Sequence, residues 1–378
     1  MKICHLIYDD VKNPWLGGGG ALRAREIYRR LAGRHQITVV TGNFPGAVRE
    51  TVDEGVRFLR VGSDASYMRS RLSYCRQALA CLRRQEWDVW VHEFSAFAPL
   101  WPAARLRRRG LLFFYHFVGA HALVKHPLVG GVAWAAEALT LRGYRHLVTI
   151  SPSVQEEVQR RLAGRQVQVD CVYTGVDARY FDLEPEEPPL PYLLYFGRMD
   201  VHTKGMDTLI AAFVQVAAQY PQLQLKVAGR GAPQAVEQVR QLVRQANLTD
   251  RVELLGAVDE SRKGELLRQA LFLCMPSRYE GWGIAAVEAQ AAGKAVLGTR
   301  ISGLRDAVRE GETGLLVEAG QPEALAQGMR QLLDQPELRQ RLGRQGREWA
   351  RRFDWDQIAR DQEEVYLNQA AANRNEDN

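Results

Sequence analysis

Pro276-Ser277-Arg278-Tyr279-Glu280-Gly281-Trp282-Gly283-Ile284-Ala285-Ala286-Val287-Glu288 follows a short apolar run, Ala270 to Met275. The run has strand length, and Ile284 to Ala292 is rich in Ala and free of Pro, so it reads as a helix. The stretch is therefore strand, glycine-broken turn, helix. Such a turn leaves the first N–H groups of the helix unpaired at the positive end of its dipole, where an anion or hydroxyl cluster can sit. Gly281 and Gly283 let a ligand approach the main chain. Glu280 falls in the turn and Glu288 inside the helix, so the two carboxylates address different parts of one ligand. Carboxylates accept paired hydrogen bonds from vicinal diols, and a nucleotide sugar offers two such sets.

Outward from this stretch the same alternation repeats. Strand signals at Tyr192–Phe196, Leu223–Ala228, Val252–Leu255, Ala295–Gly298 and Gly314–Val317 are separated by helical patterns. Upstream, strand signals at Lys2–Tyr8, Gln36–Thr41, Val56–Val61, Asp88–His92, Leu111–Tyr115, His146–Ile150 and Val167–Val172 interleave with helices at Tyr67–Arg84, Phe97–Arg109, Leu128–Leu141 and Ser153–Leu162. Alternating strands and helices predict parallel, doubly wound sheets. Between the halves, Glu184-Pro185-Glu186-Glu187-Pro188-Pro189-Leu190-Pro191 reads as a linker. The expected organisation is an α/β protein of two facing Rossmann-like domains with a cleft between them. Residues 1–180 form the first domain, 181–191 the linker, and 192–353 the second. A helix over 354–370 follows, then a disordered tail over 371–378.

The chain's 378 residues suit two domains. Charge is split between the halves: residues 1–180 carry 26 Lys and Arg against 15 Asp and Glu, residues 181–378 carry 24 against 29. The basic half predicts an anionic partner, with a membrane surface as first candidate. Arg69, Arg71, Arg76, Arg83 and Arg84 share one helix, and Arg105, Arg107, Arg108 and Arg109 end another. Five scattered cysteines without CxxC or Cys/His spacing argue for reduced thiols and against zinc. Met1-Lys2 runs straight into an apolar strand, no signal peptide is expected, and no apolar run has membrane-spanning length. A cytoplasmic protein is the expectation, with peripheral contact at the inner membrane face.

The glycine run Gly17-Gly18-Gly19-Gly20 lies between the first strand and its helix, where a phosphate or sugar cradle can form. It lacks both the G-x-G-x-x-G spacing and the Gly-Lys-Ser/Thr of a P-loop. Gly197-Arg198-Met199 follows a strand, and Lys204-Gly205 opens the next helix, so two cations stand where a diphosphate could be gripped. His116 ends the strand Leu111–Tyr115, and Glu93 ends another, with Asp9 and Asp10 as the other acids expected near it. Gly256 follows a strand, and Gly229-Arg230-Gly231 reads either similarly or as a tight turn.

From Pro276-Ser277 before Glu280 to Ala292-Gly293-Lys294-Ala295-Val296 after Glu288, the pattern resembles the E-x7-E signature of retaining GT-B glycosyltransferases of the GT4 group. Arg198, Lys204 and Gly205 match the family's G-R/K-L/M…K-G element, and the resemblance covers nearly the whole chain. It implies a GT-B fold whose last helix crosses back to the first domain. It implies transfer of a sugar from a nucleoside-diphosphate donor, UDP before GDP, to a hydroxyl or amine acceptor. The family pattern gives Glu280 the sugar hydroxyls, Glu288 the ribose diol, and Arg198 with Lys204 the diphosphate. Gly18, Gly19, Gly197, Gly256, Gly281, Trp282, Gly283 and Ile284 complete the donor site. The family places His116 against the donor sugar and the acceptor; Glu93, at a strand end, and His121, in the loop after His116, are acceptor-side candidates by their position alone. Ser302-Gly303-Leu304-Arg305-Asp306 departs from the family's Gly-Gly-x-Pro-Glu, so no role is carried over there.

No Asp-x-Asp follows a strand; Asp354-Trp355-Asp356 reads as a helix cap. No cofactor and no metal are expected, with the departing phosphate stabilised by Arg198, Lys204 and main-chain amides. The rival readings are a sugar-nucleotide epimerase of the same architecture and a non-enzymatic basic protein binding membrane or nucleic acid. No known nucleic-acid module supports the last.

Overall fold

The structure is a computed structural model that describes residues 1–15, 18–96, 98–117, 127–186 and 188–377. Gly17, Phe97, His121, Lys125 and His126 lie outside that set, and with them the reading of His121. Two compact units form: Met1–Thr174 with Trp355–Asn378, and Gly175–Asp354.

The first unit is built on eight strands: β1 (Lys2–Leu6), β2 (Gln36–Gly42), β3 (Glu50–Asp53), β4 (Val56–Val61), β5 (Val89–Glu93), β6 (Gly110–Phe114), β7 (His146–Thr149) and β8 (Gln168–Cys171). Their order is β3-β4-β2-β1-β5-β6-β7-β8, parallel apart from the antiparallel β3–β4 edge. The central strands are apolar on both faces, as expected where helices cover each side. Helices α1 (Gly19–Leu31), α2 (Tyr67–Leu82), α3 (Ala104–Arg108), α4 (Pro127–Leu141) and α5 (Pro152–Arg161) connect them. Tyr74, Ala78, Leu82, Val154 and Val158 pack on one face. Ala24, Ile27, Tyr28 and Leu31 pack on the other, together with Trp355, Ile358 and Tyr366.

The second unit is a parallel sheet of six strands: β9 (Tyr192–Phe196), β10 (Gln224–Ala228), β11 (Val252–Gly256), β12 (Phe272–Met275), β13 (Ala295–Thr299) and β14 (Gly314–Val317), in the order β11-β10-β9-β12-β13-β14. Helices α6 (Met206–Ala217), α7 (Pro233–Gln245), α8 (Glu260–Gln269), α9 (Ile284–Ala291), α10 (Ser302–Ala307), α11 (Pro322–Asp334) and α12 (Pro336–Ala350) surround it. Met206, Leu209, Ile210 and Phe213 of α6 pack with Leu325, Met329 and Leu332 of α11 over the strands. The last helix, α13 (Trp355–Asp377), belongs to the first unit and packs along α1. Among the described residues no helix is long and apolar enough to cross a membrane.

Three expectations are corrected, and one strand was not anticipated. The helix expected over Phe97–Arg109 is confined to Ala104–Arg108. Pro99 and Pro102 explain this: each lacks an N–H and disfavours helix in the residue before it. The strand β3 was missed because its four residues form an exposed edge without apolar alternation. The tail expected to be disordered continues α13 as helix. Asn373 is 3% exposed, and its amide donates to the carbonyls of Asp88 (2.9 Å) and Arg109 (3.1 Å). The expected 1–180 domain is also longer than the first unit, which ends at Thr174 before resuming at Trp355. Tyr180 is buried in the second unit, its hydroxyl bonded to Glu260 at 2.6 Å.

Candidate functional site

In an open parallel sheet, ligands bind beyond the carboxyl ends of the strands, where the strand order reverses. In the second unit the reversal falls between β9 and β12. The loops after these two strands carry Arg198, Lys204 and Glu280.

Lys204 and Glu280 form an ion pair, and Ser277 Oγ donates to the same carboxylate oxygen at 3.1 Å. Their side chains are about equally shielded, 15% and 14% exposed. The turn that carries Glu280 is fixed from several directions. Thr203 O accepts from the N–H groups of Arg278 (2.9 Å) and Tyr279 (3.3 Å). The Arg278 guanidinium grips Asp207 with two bonds of 2.8 Å, the strong bidentate geometry. Thr299 donates its hydroxyl to Ser277 O. Gly205 makes the approach possible: its φ is +66°, and a Cβ there would lie 2.0 Å from Pro276 O. That is the physical content of the Lys-Gly pair.

Gly197, Gly229 and Gly256 line the ends of β9, β10 and β11. Gly229 N–H donates to Gly256 O at 2.7 Å, and Gly197 N–H to Ala228 O at 3.0 Å. Gly229 has φ +143°, and a Cβ on it would lie 1.8 Å from Gly197 O. Gly229 is therefore part of the same rim and more than a tight turn. Arg198 is exposed beyond β9, its carbonyl held by Tyr195 Oη at 2.8 Å.

Gly283, in left-handed conformation, caps α9, and Glu288 follows inside it. Glu288 is buried, with Lys263 Nζ on α8 at 2.5 Å from Oε1. Burial pushes the Glu288 carboxyl above its ordinary range, and the Lys263 cation opposes that shift. Lys263 also lies over the rings of Phe196 (4.6 Å) and Tyr180 (5.3 Å). Sequence reasoning missed Lys263. Its only signal is a cation on a helix whose burial requires the tertiary fold. The donor-site assignment of Trp282 is corrected in one respect: its indole is 2% exposed and packs edge-on against Phe353 at 4.9 Å. Only its main chain can line a ligand, beside Gly281 and Ile284.

In the first unit the order reverses between β1 and β5, and the acids Asp9 and Glu93 lie just there. Gly18 caps α1 and its N–H donates to Asp9 Oδ2 at 2.7 Å; Gly19 opens the helix. Gly20 lies so close to Glu93 that a Cβ would approach Oε1 to 2.4 Å. Tyr115 Oη donates to Glu93 Oε2 at 2.8 Å. Burial lifts the Glu93 carboxyl to about 8, with the Tyr115 hydrogen bond opposing and the Asp9 charge adding. Burial likewise lifts Asp9 to about 7, opposed by the Gly18 and Asp10 N–H groups. Asp10 is taken out of play: it is fully buried against Arg60, Oδ2 to Nε 2.9 Å. His116 is exposed immediately beyond β6. Beneath these groups, His5 Nδ1 meets Tyr28 Oη at 2.9 Å, and Tyr28 meets Tyr366 Oη at 2.8 Å. Burial holds His5 down to about 3, so it is neutral. Its Nε2 stands 3.5 Å from Glu93 Oε2.

Two family models match. "Glycosyl transferases group 1" covers residues 180–349, and "Glycosyltransferase Family 4" covers residues 17–180. The chain belongs to the GT4-type glycosyltransferases. Glycogen synthase of Mycobacterium tuberculosis is 30% identical over 247 residues, which is 64% of this chain and 58% of that protein. The chain thus spans under two thirds of that relative's length. Among solved structures, sucrose-phosphate synthase from Thermosynechococcus elongatus superposes with TM-score 0.84 at 23% identity, covering 98% of this chain and 99% of the other. Anabaena HepE, solved in complex with UDP and glucose, gives 0.74 at 18% identity, covering 97% and 99%. These likenesses establish the GT-B fold of this GT4-type chain.

Proposed function

We propose that this chain transfers a sugar from a nucleoside-diphosphate donor to a hydroxyl- or amine-bearing acceptor, with retention of anomeric configuration. The observation that carries the reading is the Lys204–Glu280 pair beside the Glu280–Gly283 turn, with Glu288 held inside α9. Arg198 and Lys204 bind the diphosphate, Lys204 exchanging its Glu280 partner for phosphate oxygens. Glu280, so released, accepts hydrogen bonds from the sugar, and Glu288 from the ribose diol. As the glycosidic bond to phosphate breaks, Arg198, Lys204 and the α9 amides stabilise the charge on the leaving diphosphate. The acceptor oxygen or nitrogen bonds to the anomeric carbon on the same face, and its proton passes to the departing phosphate oxygen. No protein base is required. His116 orients the reacting hydroxyls, and Glu93 serves the acceptor.

A UDP-sugar is the favoured donor, supported by the UDP in the HepE structure; a GDP-sugar is the alternative. The reaction runs without a metal, since guanidinium, ammonium and amides supply the charge. The exposed Met68 and Leu72 of α2, flanked by Arg69 and Arg76, support peripheral contact with a membrane surface.

The test is a panel of UDP- and GDP-sugars screened by thermal shift, since a ligand that binds the folded chain raises its melting temperature. Product analysis with a labelled donor follows. Release of free epimerised sugar nucleotide without transfer overturns the proposal. Activity in EDTA supports the metal-free route, and full loss restored by Mg2+ or Mn2+ refutes it.

A further inference from the structure

His116 stands between two aromatic neighbours held on opposite faces of the first-unit sheet. Tyr115 packs against the core beneath α1 and α13. Phe117 packs on the other face, against the core that α2 and α5 cover. Its ring meets that of Phe114 edge-on at 4.7 Å, so the chain bends back over the end of β6 soon after leaving it. The guanidinium of Arg161, the last residue of α5, lies 3.9 Å from the centre of the Phe117 ring.

Arg161 is itself fixed from two helices. Its Nη1 donates to Glu137 Oε1 on α4 at 3.1 Å, and its Nε donates to Glu157 Oε1 within α5 at 2.6 Å. The Glu137 side chain is 1% exposed, a depth at which a carboxylate needs a cation beside it. Arg161 therefore cannot swing into solvent without giving up that ion pair.

The ordinary explanation for an arginine here is that it neutralises Glu137 and offsets the negative end of α5. Neither task needs a flat cation, since a lysine ammonium is a point charge that does both. Only a guanidinium can bond carboxylates along its edge and also lie over a ring. The 3.9 Å separation is close contact, well inside the roughly 6 Å reach of cation–ring attraction. The ring contact is what charge neutralisation leaves unexplained.

We propose that Arg161 is a positioning residue for His116: held by Glu137 and stacked on Phe117, it fixes the turn after β6 in the conformation that presents His116 to the reacting groups. The inference rests on the role given to His116 under the proposed function. A residue whose two chain neighbours are both anchored has little freedom of its own. Misplacing an orienting group by about 1 Å can cost on the order of a hundredfold in rate.

The test compares R161K, F117L, H116A and their pairwise combinations in the full chain. R161K keeps a cation for Glu137 and loses the flat face; F117L keeps an apolar side chain and loses the ring. R160K, one residue away and bonded to Glu157, is the control. Release of UDP from UDP-glucose and of GDP from GDP-mannose gives kcat and KM. R161K and F117L are each expected to lower kcat about three- to tenfold, the range of one partly exposed cation–ring contact, with melting temperature unchanged. H116A should cost about a hundredfold. In the H116A background neither change should lower kcat further, because both act through that side chain. Amide hydrogen exchange at His116 and Phe117, which needs no substrate, should be faster in R161K and F117L and unaltered in R160K. Wild-type kcat in R161K and F117L beside an impaired H116A, full additive losses in the H116A background, or unaltered exchange at His116 and Phe117 overturns the proposal. H116A as active as the wild type defeats the role of His116, and the proposal with it. Should the wild-type chain release neither nucleotide, the donor assignment fails for those two sugars, and the exchange measurement still decides the clamp.

Discussion

Lys263 Nζ lies 2.5 Å from Glu288 Oε1, and these side chains are only 8% and 10% exposed. The pair joins α8 to α9 and holds a carboxylate at a depth where an unpaired charge is costly.

Lys263→Met should therefore destabilise the chain by about 3–5 kcal/mol, because Glu288 is left buried without its counter-charge. K263M/E288Q should recover most of that loss, since neither charge remains. Urea unfolding followed by circular dichroism measures both. If Glu288 holds the ribose, the double variant is stable yet binds UDP weakly in calorimetry. Wild-type stability in K263M would rule the pair out as an anchor.

Lys204→Ala and Glu280→Ala should each lower kcat by about 10²–10³-fold, the usual cost of removing one group that stabilises developing charge. Glu93→Ala should cost far less turnover, since it acts only on the acceptor. Initial rates with a saturating donor decide this. Near-wild-type turnover in either of the first two defeats their assignment.

The pH dependence of the first unit follows from Glu93. Its carboxyl titrates near 8 when folded, against an ordinary value of 4.5. Between these values the folded chain keeps a proton that the unfolded chain has released, so stability falls as pH rises. The slope is at most about 1.4 kcal/mol per pH unit for one proton. The favourable contribution is complete below 4.5 and gone above about 8. Glu93→Gln should flatten the profile in urea melts across this window. Asp9 acts with the same sign from 3.8 to about 7, so some slope remains at its lower end.

Gly229→Ala should prevent the second unit from folding normally, because the added Cβ would lie 1.8 Å from Gly197 O. Gly256→Ala meets open space at φ +68° and should cost about 1–2 kcal/mol, the price of left-handed backbone alone. Soluble yield and melting temperature of the two variants separate the cases. Equal tolerance at both positions would contradict the close approach.

Asn373→Ala should cost about 1–3 kcal/mol, because the carbonyls of Asp88 and Arg109 lose a buried donor. The same loss is expected on deleting residues 371–378. Chemical denaturation reads it directly, and an unchanged midpoint would show that the helix end contributes nothing.

Much of the site was legible because it is local. Glu280, Gly281, Gly283 and Glu288 sit on one strand-turn-helix, and the spacing of thirteen consecutive residues, Pro276 to Glu288, determines their geometry. Arg198 and Lys204 were legible for the same reason, as cations between one strand and the next helix. Lys263 was not, because its partner is 25 residues away and only the packing of α8 beside α9 removes it from water. The tail was misread because Asn and Arg near a terminus look solvated. Asn373 earns its burial from two carbonyls contributed by distant loops.

Local periodicity and turn chemistry sufficed for the alternating elements, the two parallel sheets and the glycine turns, since each depends on residues within a few positions of one another. Pairing of sequence-distant residues within each unit needed the tertiary structure. Lys204 was joined to Glu280, Asp10 was withdrawn onto Arg60, and Glu93 was pressed between Gly20 and Tyr115. Burial and charge proximity set those properties, and both are sums over residues that only the fold brings together.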